Sequence, residues 1–352
     1  MKRIAFFQSD LGVGGIQKSI VNLLRNLDYS RYQVDLYLSE KTDFWTDKFP
    51  PELNIRTLRP ISRIWSFLPF DLAKRQIRYE FPPDVTYDLA VDFNSYQCSC
   101  AVGALTVPAK KRVMWVHNDV GIKLENEWKY RVLWHFFRGK FRYYDGFVTV
   151  SRALIEPFRK ASGVGGKFFK TIPNFIDVGE IRQKALETPP NFALEEGCLN
   201  VVALGRLCHQ KGYDIMLDTF ADALKRRPEL RLYIIGDGPD RAALEQQRDR
   251  LGLKDKAHFL GNQPNPFQYM ARMDAFLSTS RYEGQGMNIM EAMVLGLPVY
   301  CPRHLEQYID GLQGCDDLVS ALAAAQKQEK RPDDLREYNG RILEAFSKLT
   351  EE

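Results

Sequence analysis

The sequence is poor in most features that would place it in an extreme class. Six cysteines and five histidines stand among 352 residues. Cys98 and Cys100 are close neighbours, and Cys198, Cys208, Cys301 and Cys315 are scattered, so no C-x-x-C pair offers zinc or redox chemistry. They read as buried, reduced thiols rather than a disulfide framework. No apolar run approaches the roughly 18 residues of a membrane-crossing helix. Ile4–Phe7 follows Met1-Lys2-Arg3, but the run stops at Gln8. That is too short for a secretory leader and reads as a first strand. There is no low-complexity tract, no short repeat and no nucleic-acid-binding motif, so nucleic acid is not an expected partner. With 45% hydrophobic residues the chain is too apolar to be disordered, and its length fits two domains.

Net charge is only +4, but it is uneven. Residues 1–180 hold 27 Lys and Arg against 19 Asp and Glu, whereas the remainder holds 22 against 26. A basic first half and an acidic second half imply two domains with different partners, the first facing something anionic.

Short β-branched runs alternate with segments of helical period. Strands are expected at Ile4–Phe7, Val34–Leu38, Leu89–Val91, Val113–Val116 and Phe147–Val150, with helices at Ile16–Leu27 and near 98–105, 124–139 and 152–161. Residues 187–197, with paired prolines and charges, read as a linker. The grammar then restarts. Strands are expected at Val201–Leu204, Leu232–Ile235, His258–Leu260, Ala275–Leu277 and Val299–Cys301. Helices are expected near 211–226, 240–251, 266–272, 288–295, 316–326 and 334–349. Continuous apolar strands separated by helices predict parallel sheets covered on both faces. The expected architecture is two doubly wound α/β domains facing across a cleft. The first spans 1–186, the linker 187–197 and the second 198–332; residues 333–352 form a last helix, for which a return to the first domain is open.

Five motifs sit at predicted strand ends, where ligands bind in such folds. Asp10-Leu11-Gly12-Val13-Gly14-Gly15 precedes the first helix, so its backbone can approach an anion at the helix start, although a tight turn would use the same glycines. Gly205-Arg206-Leu207 with Lys211-Gly212 offers two cations that can clamp a diphosphate, or a solvated loop pair. Gly236-Asp237-Gly238-Pro239 reads mainly as a turn. Glu283-Gly-Gln-Gly-Met-Asn-Ile-Met-Glu291 places two carboxylates around an open helix start. There the N–H groups of Gly286, Met287 and Asn288 can hold phosphate oxygens and Glu291 can accept from vicinal hydroxyls. Two surface glutamates beside a helix N-terminus would look the same. His117, at a strand end in Trp115-Val116-His117-Asn118-Asp119, is a candidate catalytic residue, though a lone histidine is often structural.

In this order the motifs resemble the GT-B glycosyltransferases, and within them the large retaining family 4. Gly14 and Gly15, His117, Val150-Ser151, Ile172-Pro173-Asn174, Gly205-Arg206-Leu207 with Lys211-Gly212, Gly236-Asp237-Gly238-Pro239 and Glu283 through Glu291 all match, followed by Ala292, Gly296 and Pro298. The resemblance covers roughly residues 1–300. It implies a nucleotide-diphospho-sugar donor, UDP- or GDP-linked, bound to the second domain. Arg206 and Lys211 would hold the diphosphate, and Glu291 the ribose. Glu283 would contact the sugar, with amides of Gly286, Met287 and Asn288 beside it. The base would lie near Asn262. His117 would touch the donor sugar, and Gly14 and Gly15 would close over the phosphates. It implies no metal and no cofactor beyond the donor itself, because the two cations do a metal's electrostatic work. Transfer is expected with retention, by front-face attack assisted by the leaving phosphate. Gln285 stands where the family has Phe, and the segment after Pro298 is short.

Residues 128–144 hold five Lys and Arg, no acid and eight aromatics, and Arg59–Arg78 is similarly basic with Trp65, Phe67 and Phe70. Such stretches suit an anionic membrane surface, or equally a helix burying its aromatics in a core. With the first reading the acceptor is a glycan or lipid-linked group in surface polysaccharide or glycolipid synthesis, and the enzyme is cytoplasmic, resting on the inner membrane face. Two rivals remain at this level. One is a non-catalytic sugar-nucleotide-binding or scaffold protein, motivated by Gln285 and the short tail. The other is a nicotinamide-dependent dehydrogenase, which lacks its G-x-G-x-x-G signature here.

Overall fold

The computed structural model describes residues 1–12, 14–40, 49–59, 61–62, 64–65, 68–94, 97–190 and 192–351. They form two compact units, Met1–Phe175 with Glu337–Glu352, and Ile176–Arg336.

In the first unit the strands are β1 (Lys2–Gln8), β2 (Tyr32–Leu38), β3 (Asn54–Thr57), β4 (Tyr87–Asp92), β5 (Ala109–Val116), β6 (Gly146–Thr149) and β7 (Phe168–Thr171). They form one parallel sheet in the order β3-β2-β1-β4-β5-β6-β7. β1 is buried from Ile4 to Gln8 because it is central, with Ile4 opposite Val34 on one side and Leu89 on the other. Helices α1 (Gly15–Arg25), α2 (Phe70–Gln76), α3 (Cys98–Thr106), α4 (Val120–Asn126), α5 (Trp128–Phe137) and α6 (Ile155–Ser162) connect the strands. The helix expected over 124–139 is two, because Glu127 is extended between α4 and α5.

The second unit runs α7 (Val178–Ala185), β8 (Leu199–Leu204), α8 (Tyr213–Arg226), β9 (Leu230–Ile235), α9 (Arg241–Arg250), β10 (Ala257–Gly261), α10 (Phe267–Met270), β11 (Ala275–Leu277), α11 (Met287–Val294), β12 (Val299–Tyr300) and α12 (Leu318–Ala324). Its sheet is parallel in the order β10-β9-β8-β11-β12. Val201, Ala203, Leu232 and Ile234 pack against Leu217 and Phe220 of α8 in its core.

The chain divides earlier than the expected linker. α7 packs on α10 and α11. Asn265 donates to the Lys184 carbonyl and to Glu187, each at 2.8 Å. Phe192, inside the expected linker, meets the rings of Tyr233 and Tyr269 at 5.5 and 5.0 Å, and Glu195 pairs with Arg231. Residues 187–197 therefore belong to the second unit, and the division falls at Phe175 and Ile176. The last helix, α13 (Arg336–Glu351), packs with the first unit. Phe346 stacks on Phe6 at 6.0 Å, and Lys111 donates to the Leu349 carbonyl at 3.2 Å. Among the described residues no helix is long and apolar enough to cross a membrane.

Candidate active site

In the second unit β8 lies between β9 and β11, and the connections run to opposite sides of the sheet from there. Loops leaving two such strands splay apart and open a crevice at their carboxyl ends. The loop after β8 carries Gly205, Arg206 and Lys211; the loop after β11 carries Glu283 and leads into α11. They meet. Lys211 Nζ donates to Glu283 Oε1 at 2.6 Å, and Ser280 Oγ donates to the same oxygen at 2.7 Å. Glu283 is 4% exposed, so its charge depends on these two partners. Asn288, at the start of α11, donates from Nδ2 to the Leu204 carbonyl at 2.6 Å, which ties the helix start to the end of β8. A Cβ on Gly205 would lie 3.3 Å from the Tyr213 hydroxyl, 3.6 Å from Lys211 Cε and 3.7 Å from Asn288 Nδ2, so the loops converge on that backbone position.

Gly286 caps α11 in the left-handed region (φ 66°). The N–H groups of the first helical turn, including Met287 and Asn288, have no carbonyl inside the helix to bind and carry partial positive charge. Glu291 follows one turn later on the same helix and is buried. Arg206 stands exposed beside Gly205. The contacts thus bring Lys211, Glu283 and Asn288 to one strand junction; Arg206 follows Gly205 on the loop after β8, and Gly286, Met287 and Glu291 lie on α11 or its cap. Asn262 lies farther out along the same sheet. It is exposed after β10, the edge strand, with β9 in between. The Gly-Asp-Gly-Pro run serves packing: a Cβ on Gly236 would lie 2.0 Å from the Gly205 carbonyl oxygen.

In the first unit Gly14 caps α1 and Gly15 opens it; a Cβ on Gly15 would meet nothing within 4 Å. Asp10 orders the preceding loop by accepting from Gly12 N at 2.8 Å and from Gln17 Nε2 at 3.1 Å. Val13, the fourth residue of that motif, lies outside the described residues. His117 is buried after β5, with Nε2 at 3.0 Å from the Phe93 carbonyl. A carbonyl only accepts, so Nε2 carries the proton and Nδ1 is the remaining acceptor. Burial drives the imidazole down to about 3, which keeps the ring neutral at physiological pH. Next to Phe93, Asp92 is fully buried, accepts from the Tyr144 hydroxyl at 2.6 Å and lies 3.9 Å from Lys140 Nζ. Burial raises its carboxyl to about 6 against the pull of Lys140.

The basic aromatic stretch 128–144 splits its roles. Tyr130, Trp134, Phe141 and Tyr144 are buried, Lys140 is buried beside Asp92, and Arg142 pairs with Asp71. The opposite face of α5 shows Trp128, 66% exposed, and Val132, 52% exposed, with Lys129, Arg131 and His135 exposed around them. In the Arg59–Arg78 stretch Phe70 is buried and Arg59 pairs with Glu80 at 3.5 Å; Phe67 lies outside the described residues.

Sequence reasoning passed over Ser280, which donates to Glu283, and over Arg281 and Asp214, which pair with each other beside the 209–212 turn. The only signal was a polar run, Ser278-Thr279-Ser280-Arg281, directly after an apolar strand.

Two parallel α/β units with this junction in the second define the GT-B class. Family models match both halves: Glycosyltransferase Family 4 over residues 13–180 and Glycosyl transferases group 1 over residues 187–304. The chain belongs to these GT-B glycosyltransferases. It is 40% identical over 115 residues to mannosylfructose-phosphate synthase of Agrobacterium fabrum, covering 30% of this chain and 25% of that protein. It is 29% identical over 161 residues to alpha-monoglucosyldiacylglycerol synthase of Streptococcus pneumoniae, covering 44% of this chain and 36% of that protein. The matched stretch thus spans well under half the length of these curated relatives. The crystal structure of Anabaena HepE in complex with UDP and glucose shares the fold over 100% of this chain and 99% of that one, with a TM-score of 0.67 at 19% identity.

Proposed function

We propose that the chain is a retaining, metal-independent glycosyltransferase. It moves a sugar from a nucleotide-diphospho-sugar, UDP- or GDP-linked, to a glycan or lipid-linked acceptor in surface polysaccharide or glycolipid synthesis. The observation that carries this reading is the meeting of Lys211, Glu283 and the bare start of α11 at the strand junction of the second unit. An acceptor hydroxyl oxygen bonds to the anomeric carbon, the bond from that carbon to the β-phosphate oxygen breaks, and the hydroxyl proton passes to the leaving diphosphate. Lys211 and Arg206 offset the charge that grows on the diphosphate, a term that counts for more in a site shielded from water. Amides of Gly286, Met287 and Asn288 take its oxygens. Glu291 grips the ribose hydroxyls, Glu283 faces the sugar, and Asn262 lies by the base. In the first unit the neutral His117 has one acceptor, Nδ1, suited to an uncharged hydroxyl. Gly14, against which the Gln17 side chain packs, and the open Gly15 close over a phosphate at the start of α1.

An anionic membrane surface is the second partner in this reading, with the cytoplasmic leaflet as its place. Trp128 and Val132 form an exposed apolar strip with Lys129 and Arg131 beside it, the pattern that seats a helix among lipid headgroups. Among the relatives, the pneumococcal protein is by its name a synthase of a diacylglycerol glycolipid.

The test is release of nucleoside diphosphate from a panel of UDP- and GDP-sugars in the presence of membrane extract, for the wild type and Glu291→Ala. Release that depends on both donor and acceptor, and that drops in the variant, is expected. Release from no donor, or equal release by both proteins, sinks the reading; donor binding without turnover points instead to a binding or scaffold protein.

A further inference from the structure

The turn that carries Lys211 and the loop that carries Glu283 are stitched together by more than that one ion pair. Arg281 is the centre of the stitching. Its Nη1 and Nη2 fork onto Asp214 at 2.8 and 2.6 Å, and Nη1 also donates to the His209 carbonyl at 2.8 Å. Its own backbone N–H donates to the Gln210 carbonyl at 2.8 Å. Around it, Gln210 Nε2 donates to the Tyr282 carbonyl at 3.2 Å, and Thr279 Oγ1 donates to the Gly212 carbonyl at 2.8 Å. The two segments approach so closely that a Cβ on Gly212, already in the left-handed region at φ 63°, would lie 2.2 Å from the Thr279 carbonyl oxygen. Asp214 sits in the first turn of α8, where a carboxylate is favoured by the helix dipole.

We infer that Arg281 is a positioning residue of the candidate active site: through Asp214 and the His209 carbonyl it fixes the 209–212 turn against the 279–283 loop, and so sets where Lys211 meets Glu283. The inference rests on the proposed glycosyl transfer for its kinetic consequence, but not for its structural one. Arg281 is 23% exposed in its side chain and touches the turn rather than the Lys211–Glu283 pair. Its planar fork matters, because a lysine would carry the charge without the bidentate geometry.

Two measurements on the full chain test this. The first needs no substrate: crystal structures of Arg281→Gln and Arg281→Lys. Arg281→Gln is expected to release the 209–212 turn and move Lys211 Nζ out of hydrogen-bond reach of Glu283, with Arg281→Lys keeping the turn partly in place. A Lys211–Glu283 pair unchanged in Arg281→Gln overturns the inference, whatever the protein catalyses. Should Arg281→Gln not fold, Asp214→Asn is to open the same contact, and an intact pair there overturns it equally. The second is UDP release from UDP-glucose with acceptor extract, per UDP-binding site counted by calorimetry. Arg281→Gln is expected to lower kcat about ten- to hundredfold while KM for the donor changes less, since a misplacement of about 1 Å can cost that much. Arg281→Lys is expected to recover part of the loss, and adding Asp214→Asn to Arg281→Gln to cost little more. Unchanged kcat in Arg281→Gln, or fully additive losses in the pair, overturns the inference. No UDP release by the wild type with any donor counts against the proposed function alone, and the structural measurement then decides this one.

Discussion

The carboxyl ends of the two sheets are built on opposite electrostatic plans. In the first unit His117 and Asp92 are dry: burial takes the imidazole down to about 3, so the ring is neutral, and raises the Asp92 carboxyl to about 6 beside Lys140. In the second unit Lys211 and Glu283 meet as an ion pair whose carboxylate is buried, with Arg206 exposed on the same loop as Lys211. A site that offers neutral hydrogen-bonding groups suits an uncharged hydroxylated ligand. A site that offers cations and a bare helix start suits a diphosphate. The sheet topology is similar, and Glu283 is as buried as His117, so the difference lies in what each strand end carries.

The comparison can be broken by removing charge from either side. Lys211→Ala is expected to cost the largest effect, about a hundred- to thousandfold in kcat, as for loss of one donor to a developing oxyanion; turnover of the donor that the wild type uses would show it, and a loss under tenfold would remove Lys211 from the charge-balancing role. Asp92→Asn in the first unit is expected to destabilise by about 3–5 kcal/mol, because it removes the carboxylate that faces the buried Lys140. Urea unfolding measures that, and Asp92→Asn with Lys140→Met together is to recover most of it. Gly212→Ala is expected to cost about 1–3 kcal/mol through its left-handed backbone, together with whatever shift the close Thr279 carbonyl forces.

A subtler test is the acid limb of stability. The native His117 resists protonation to about 3, whereas the unfolded chain takes up that proton near 6.5. Its contribution is therefore full above pH 6.5 and lost as pH falls from there toward 3. Asp92 acts the other way: its contribution is full below about 3.8 and lost as pH rises through about 6. Unfolding midpoints across pH 3–7 are expected to fall less steeply on the acid side in His117→Gln than in the wild type. The smallest effect expected on the fold is Trp128→Ser, within about 0.5 kcal/mol because the side chain is exposed. The same variant is to lose co-sedimentation with vesicles rich in phosphatidylglycerol, and undiminished binding would take α5 out of the membrane reading.

Much of the fold was legible from pattern. β1, β2, β4, β6 and the second half of β5 are buried apolar runs, and β8, β9 and β11 repeat them, with β10 half-buried, so periodicity alone locates them. β3 was not legible because Asn54–Thr57 is exposed throughout and carries no apolar pattern. α7 was not legible because only Ile181 in it is buried, and its place is decided by α10 and α11. The paired prolines and charges of 187–197 looked like a linker, yet Phe192 is held by aromatic rings from two other elements.

Local order along the chain thus determined the two parallel sheets, the candidate cations and the Glu283–Glu291 spacing, since strand periods, helix starts and glycine turns are short-range properties. Where the chain divides, that His117 is neutral, and that Arg281 locks Asp214 across 67 residues of sequence were decided only by tertiary structure. Burial and ion pairing depend on which distant segments pack together, and no single stretch of sequence carries that information.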